Sequence, residues 1–381
     1  MIYLDYNATS PLHPDVRQEI IPFLEDAFGN ASSVHAKGRQ ARAAVEMVRA
    51  EILAALGDRT GQLIFTSGGT EADNLALKGI APALRDRGNH LVVSSVEHHA
   101  VLHAAEALQE QGVKVTLVPV DRQGKVDLEA LEEAIGPKTV LVSVMHANNE
   151  VGTIQPIREI GQIAKKHNVL FHTDAVQSFG KLPLNVLEDG VDLVSLSAHK
   201  LGGLKGVGAL YLRREIKIKP LLHGGPHEHN LRGGTEGVPG IVGMGTALKV
   251  TLKEQQDGTL SRVNRLRDQL EAGLRRIPGI EIHGHPTERL PGTLNVSFLS
   301  CLAESLLMAF DLAGICVSSG SACSSGSTEP SHVLAAMGLP EDQIEGSVRF
   351  SLGWGTTEEE LTHCLDRLPL LVEQVRKNAS R

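Results

Sequence analysis

The sequence predicts an α/β protein in which a large unit with a mostly parallel sheet carries a smaller α+β unit. Three observations support this. The chain has 381 residues, too many for one small core. Short apolar runs such as LIFT, LVVSS, TVLVSV and VDLVSLS alternate with segments of helical period, the pattern of strand–helix–strand units with helices on both sheet faces. That alternation ends near Gln255, after which come a charged helix (Leu260 to Arg275), short strands such as GTLNVSF and small-residue loops. The expected division is 13–254 for the large unit, with 1–12 and 255–381 forming the smaller one.

Composition narrows the classes. Hydrophobic residues make up 41% and charged residues 22%, and no apolar stretch is long enough to span a bilayer. MIYLDYNATS has neither a basic n-region nor an apolar h-region, so no secretory signal is expected and the cytoplasm is the expected compartment. The net charge is −8 without a dense Lys/Arg cluster, which argues against direct nucleic-acid binding. The four cysteines (Cys301, Cys316, Cys323, Cys364) form no C-x-x-C pair. Neither a disulfide framework nor a metal site is expected.

LDYNATSPLHPDV reads as a short strand and a turn before a helix near Pro14, where proline suits a first helical position. Val45, Val48, Ile52 and Leu56 recur at helical spacing further on. LIFTSGGTEADNLALKG then carries a strand, Leu63 to Thr66, through Ser67-Gly68-Gly69-Thr70 into a helix with Leu75 and Leu77. Glycines admit an anion to the backbone, and the helix N-terminus offers unpaired N–H groups, so Gly69 and Thr70 are the expected donors of a phosphate cup. LVVSSVEHH repeats the pattern and places Glu97, His98 and His99 at a loop where ligands gather in open α/β sheets. Asn148 and Asn149 follow the next strand; by themselves paired asparagines read as a cap or a turn.

The richest stretch runs from His172 to Gly206. A buried strand (Val169 to Phe171) delivers Asp174 and Gln177 at its exit, and VDLVSLS ends in Ser197-Ala198-His199-Lys200. An acid at one strand end and a lysine at a later one is the pair that pyridoxal 5'-phosphate (PLP) chemistry needs. The lysine holds the cofactor covalently and the carboxylate keeps its ring nitrogen protonated. Ser197, His199 and the run Gly202 to Gly208 add phosphate and backbone N–H contacts beside the lysine. Near the end, Arg349 alternates along the strand SVRFSLG, and its guanidinium suits a substrate carboxylate.

DAVQSFGK, SLSAHK and KGVGALYLRR resemble the class V aminotransferase-like PLP enzymes, and within them the NifS-type cysteine desulfurases. The similarity runs from YLDYNATSPLHP to SVRFSLGWGTTEEEL. It implies fold type I of the PLP-dependent transferases and conversion of L-cysteine to L-alanine, with sulfur passing to Cys323 as a persulfide. SSGSACSSG followed by EPSHVL carries that last resemblance. By the same resemblance His98 stacks on the cofactor ring and moves a proton, while Gln177 donates to the ring hydroxyl. Asn149 contacts that hydroxyl and, with Arg349, the substrate carboxylate; Asn7 and Ala8 lie near the substrate. The resemblance further implies a homodimer in which Thr235 reaches the neighbour's phosphate, and a sulfur-acceptor protein such as an iron–sulfur scaffold. His99 falls where relatives vary and reads as surface; Cys301, Cys316 and Cys364 read as core thiols. The chain departs from the pattern at Ala31, Leu204, Pro226, His229-Asn230, Gly233 and Trp354-Gly355. Alternatives are a selenocysteine lyase or another PLP enzyme of this fold, a catalytically silent sulfur-relay or scaffold protein, and a phosphate-binding structural protein.

Overall fold

In the large unit, β-branched runs become strands because their side chains alternate between two layers of helices. The computed structural model describes residues 1–319 and 330–379. Twelve strands are described: β1 (Ile2–Tyr3), β2 (Gln62–Thr66), β3 (His90–Ser94), β4 (Lys114–Val118), β5 (Thr139–Ser143), β6 (Leu170–Asp174), β7 (Leu193–Ser197), β8 (Gly208–Leu212), β9 (Ile280–His283), β10 (Thr293–Phe298), β11 (Ile315–Cys316) and β12 (Ser347–Ser351). The helices of the first part are α1 (Pro14–Leu24), α2 (Ala36–Ala55), α3 (Gly69–Ala83), α4 (His99–Gln109), α5 (Leu128–Ala134), α6 (Ile157–Lys166) and α7 (Val238–Gln256). Those that follow are α8 (Thr259–Leu274), α9 (Ala303–Leu312), α10 (His332–Ala336), α11 (Glu341–Glu345) and α12 (Glu358–Ala379).

Seven strands form the main sheet in the order β2-β8-β7-β6-β5-β3-β4. Neighbours from β4 across to β7 are parallel, and only β8 runs against both its partners. The order reverses at β3, so the crevice beyond the carboxyl ends of β3, β5, β6 and β7 is where such a sheet places a ligand. On one face Val142, Phe171, Val194 and Leu196 pack with α2, α6 and α7. On the other, Leu91, Leu141, Leu193 and Leu210 pack with α3 and α4. That second face changes character toward the carboxyl ends: Leu141 gives way to Ser143, Leu170 to His172 and Asp174, and Leu193 to Ser195 and Ser197. From Ser143 to Ser197, all of these polar residues are buried.

A second core gathers Ile2, Leu4, Leu266, Leu270, Phe298, Phe310, Phe350 and Val372 under α8, α9 and α12. Its sheet is antiparallel, in the order β12-β10-β9, and β1 pairs in parallel with β11. Gly258, in the left-handed region at φ 86°, makes the break between α7 and α8. Cys301 and Cys364 are buried here, and burial pushes the Cys364 thiol up to about 12. Cys316 departs from the expected core position: β11 is a two-residue strand, and the side chain is only half-buried. From β1 the chain crosses to the main sheet, where Ser10 N donates to His199 O at 3.0 Å.

Candidate active site

Asp174 ends β6, and its buried Oδ1 accepts from Val176 N at 2.8 Å. Burial pushes its carboxyl up; the Val176 N–H and the Lys200 ammonium pull the other way. Lys200 closes a single 3₁₀ turn after β7. Its Nζ donates to Asn7 O and, at 2.9 Å, to Ala8 O. The N-terminal crossing segment, with Asn7 and Ala8, therefore lies directly on the lysine.

Gly69 and Thr70, the expected donors of a phosphate cup, begin α3. Gly68 precedes α3 without a side-chain cap, which leaves the first-turn N–H groups to other partners. A Cβ on Gly69 would lie 2.7 Å from Val176 Cγ2 and 3.7 Å from Ser197 Cβ. Gly69, Ser197 and the loop after Asp174 are thus in contact, and only glycine admits the approach. His199 Nδ1 lies 3.1 Å from Thr9 Oγ1 on the crossing segment, and burial, then Lys200, pushes the ring down to about 4.

His98 caps α4 by accepting from Ala100 N at Nδ1, 3.1 Å away. Burial, then Lys200 and the neighbouring histidines, pushes it down to about 4. The ring is neutral at pH 7, and with Nδ1 accepting, its proton is assigned to Nε2. His99, expected at the surface, is partly covered. Its ring is half-buried, 4.6 Å from that of His332 and 4.9 Å from that of His103, because α10 folds back and His332 Nε2 donates to Glu97 O at 2.9 Å.

The two asparagines divide their duties. Asn148 Oδ1 accepts from Glu150 N and Val151 N while its Nδ2 donates to Val96 O, a turn-building role. Asn149 is buried, and its backbone oxygen accepts from Asn7 Nδ2 at 3.0 Å and Arg349 Nη1 at 3.2 Å. Arg349, 1% exposed, extends Nη2 to Asp5 Oδ1 at 2.9 Å, and its buried Nε has no hydrogen-bond partner among the described residues. Gln177, expected to donate to the ring hydroxyl, spends one Nε2 hydrogen on Asn7 O at 2.9 Å and keeps the second, while its buried Oε1 has no hydrogen-bond partner among the described residues.

Thr235 is exposed and lines a groove of about 400 Å³ together with Ser67 and Arg232. The replaced residues leave the loop's anchor intact. Glu228, His229 and Asn230 all take left-handed φ values, yet Glu228 is held by Arg49 and by Phe65 N. Leu204 packs against the main core. Trp354 meets the edge of the His13 ring at 4.8 Å, and its Nε1 is buried without a hydrogen-bond partner among the described residues. Cys323 lies outside the described residues. Sequence reasoning missed Asp5, Asp73 and His172; the available signals were an acid at an apolar helix position and a histidine two residues before Asp174 on one strand face.

A fold and site of this kind define the class. The chain belongs to the class V aminotransferase family, whose model matches residues 2–363. It is 49% identical over 376 residues to the cysteine desulfurase IscS of Dictyoglomus turgidum, covering 98% of this chain and 95% of that protein. It is 47% identical over 375 residues to the cysteine desulfurase IscS of Methanosarcina thermophila, covering 98% and 93%. A solved structure described as a NifS-like protein superposes with a TM-score of 0.92 at 38% identity, covering 98% of this chain and 99% of that one. SspA in complex with cysteine gives 0.81 at 36% identity, covering 92% and 99%. The fold is type I of the PLP-dependent transferases, as the resemblance implied. Among the described residues no helix is long and apolar enough to cross a membrane.

Proposed function

We propose that this chain is a PLP-dependent cysteine desulfurase that converts L-cysteine to L-alanine and takes the sulfur onto Cys323. The observation that carries the reading is the convergence of Asp174, Lys200, His98 and the uncapped start of α3 on one strand-end crevice. The residues fit the cofactor. Gly69 and Thr70 begin a helix with no side-chain cap, Ser197 adjoins them, and Gln177 Oε1 is a buried acceptor without a partner among the described residues. When bound, PLP supplies the electron-accepting ring that lets the Cα–H bond of the amino acid break.

The chain's own groups would do the rest. Asp174, at the crevice, would hold the ring nitrogen's proton, and Lys200 Nζ would carry the cofactor and take the Cα proton. His98, neutral with its proton on Nε2, is poised to pass one on. Arg349 Nε and the Asn149 side chain would orient the substrate carboxylate. The Cys323 thiolate would then attack the substrate sulfur, so that an S–S bond forms as the Cβ–S bond breaks and the carbon product is protonated to alanine. His199, seated on Thr9, would hold the crossing segment against the lysine turn. The reading includes a division at 13–254, two residues short of the end of α7, and a cytoplasmic homodimer. In that dimer the exposed Thr235 would reach the partner's phosphate, and the sulfur would pass to an acceptor protein such as an iron–sulfur scaffold.

The test separates the two halves of the chemistry. Cys323→Ala should still exchange the Cα proton of L-cysteine with deuterated solvent while forming almost no alanine. Lys200→Ala should lose both, and Cys301→Ala and Cys364→Ala should keep both. Alanine formed by Cys323→Ala at the wild-type rate would overturn the reading.

A further inference from the structure

The helix that supplies the cup carries an acid where its packing face calls for an apolar side chain. Asp73, Ala76, Leu77 and Ile80 form one stripe of α3 at helical spacing, all buried against the sheet. Asp73 is the exception in kind, and burial of an acid is costly without a compensating role. What it faces is equally polar. His172 lies fully buried on β6, with Nδ1 2.8 Å from Ser143 Oγ on β5 and Nε2 3.0 Å from Ser195 Oγ on β7. Asp73 Oδ1 stands 3.7 Å from His172 Nε2, and the Ser195 hydroxyl also faces the Asp73 carboxyl.

Register makes the cluster meaningful. Ser143 pairs with His172, and Asp174 pairs with Ser195, so all four side chains share the sheet face on which α3 packs. His172 is two residues before Asp174 on the same strand, and Asp73 is four residues after Gly69 on the same helix. Asp73 Oδ1 has no hydrogen-bond partner among the described residues, so the Ser195 hydroxyl, set against both the Asp73 carboxyl and His172 Nε2, is the polar tie between the helix that would form the cup and the strands that present Asp174. We infer that Asp73 is a positioning residue, which through His172 and Ser195 fixes the spacing between the anion cup and Asp174. The inference rests on the proposed cofactor reading, since PLP is the ligand whose phosphate and ring would span that distance.

The charge states agree with the geometry. Burial, then Asp174, pushes the Asp73 carboxyl far up, and burial alone pushes His172 down to about 3. Asn keeps the shape and a hydrogen-bonding side chain at that position, so it should replace Asp73 with little loss. Leu at that position removes the polar contact while filling the space.

The test is calorimetric titration of the full-length chain, freed of cofactor, with PLP, with pyridoxal and with inorganic phosphate. A tie that sets spacing matters only to the ligand that spans both ends. Asp73→Leu should weaken PLP about thirtyfold while changing pyridoxal and phosphate by less than about twofold, the mark of lost effective concentration rather than lost sites. Asp73→Asn should bind PLP within about threefold of wild type, and Ser195→Ala should show the selective loss at about fivefold. Should Asp73→Leu not fold, Ser195→Ala decides alone. Equal weakening of all three ligands, or unchanged PLP affinity in the folded variant, would overturn the inference. A wild-type chain that binds no PLP would instead overturn the cofactor reading.

Discussion

Two buried arginines show how differently this molecule uses the same side chain. Arg49, on α2, donates to both oxygens of Glu228 (2.9 and 3.0 Å), to Glu46 and to Leu63 O, and it stacks over the Phe65 ring at 4.8 Å. Glu228 in turn accepts from Phe65 N at 2.9 Å. Arg349 bonds Asp5 and Asn149 O through its two terminal nitrogens, and its Nε has no hydrogen-bond partner among the described residues. A saturated guanidinium has nothing left to offer a ligand and serves to pin a loop. An unsaturated one in a crevice retains a donor for a second carboxylate.

The largest effect should come from breaking the saturated pair. Glu228→Ala leaves the Arg49 charge buried without its carboxylate and should cost about 3–5 kcal/mol of stability. Denaturant unfolding would measure it. A loss below about 1 kcal/mol, the range of surface pairs, would mean that water or Glu46 takes over, and the two arginines would differ less than their contacts indicate. Arg349→Lys should act the other way round. Its unfolding midpoint should move little, while kcat/KM for L-cysteine falls roughly a hundredfold, mainly through KM, because an ammonium cannot reproduce the fork. The same variant should lose the stabilisation that saturating L-alanine gives the wild type in a thermal melt. Unchanged KM in Arg349→Lys would remove the carboxylate-binding role.

The contrast also marks how far the sequence can be read. The mostly parallel sheet was legible because six or seven β-branched runs alternate with helical segments, and β6 and β7 deliver Asp174 and Lys200 where their patterns end. The helix that begins at Gly69 was legible from Gly-Gly-Thr after a strand, whereas its use as an anion cup was suggested only by the company of Lys200. The position of Gln177 after β6 was legible, but not its hydrogen bond to Asn7, 170 residues away. The Thr9 contact of His199 Nδ1 was not legible for a similar reason: Thr9 lies 190 residues away in sequence. Arg349 could be singled out by its strand and its motif, but the degree to which Arg49 and Arg349 are saturated cannot be read from sequence, because saturation is a tertiary property. Arg49 sits on an amphipathic helix and Arg349 on a strand buried throughout, and only folding brings Glu228 to one and Asp5 to the other.

The smallest predicted effect sharpens the comparison most. Asp5 is partly exposed and lies 344 residues from Arg349 in sequence, yet its carboxylate is 2.9 Å from Nη2. It orients the guanidinium, and it also offsets part of the positive charge that would attract a substrate carboxylate. Asp5→Asn keeps an oxygen acceptor at that position and removes the competing charge. The fork should stay in place while its field toward an incoming anion strengthens. At an exposed edge that is screened by water the gain is about 0.5–1 kcal/mol, a two- to fivefold fall in KM for L-cysteine with kcat little changed. The gain should shrink as salt is added, since it is electrostatic. If Asp5→Asn instead raised KM severalfold at every salt concentration, orientation would outweigh charge. Asp5 would then belong with Glu228 as a structural partner, and the distinction between the two arginines would rest on the unpaired Nε alone.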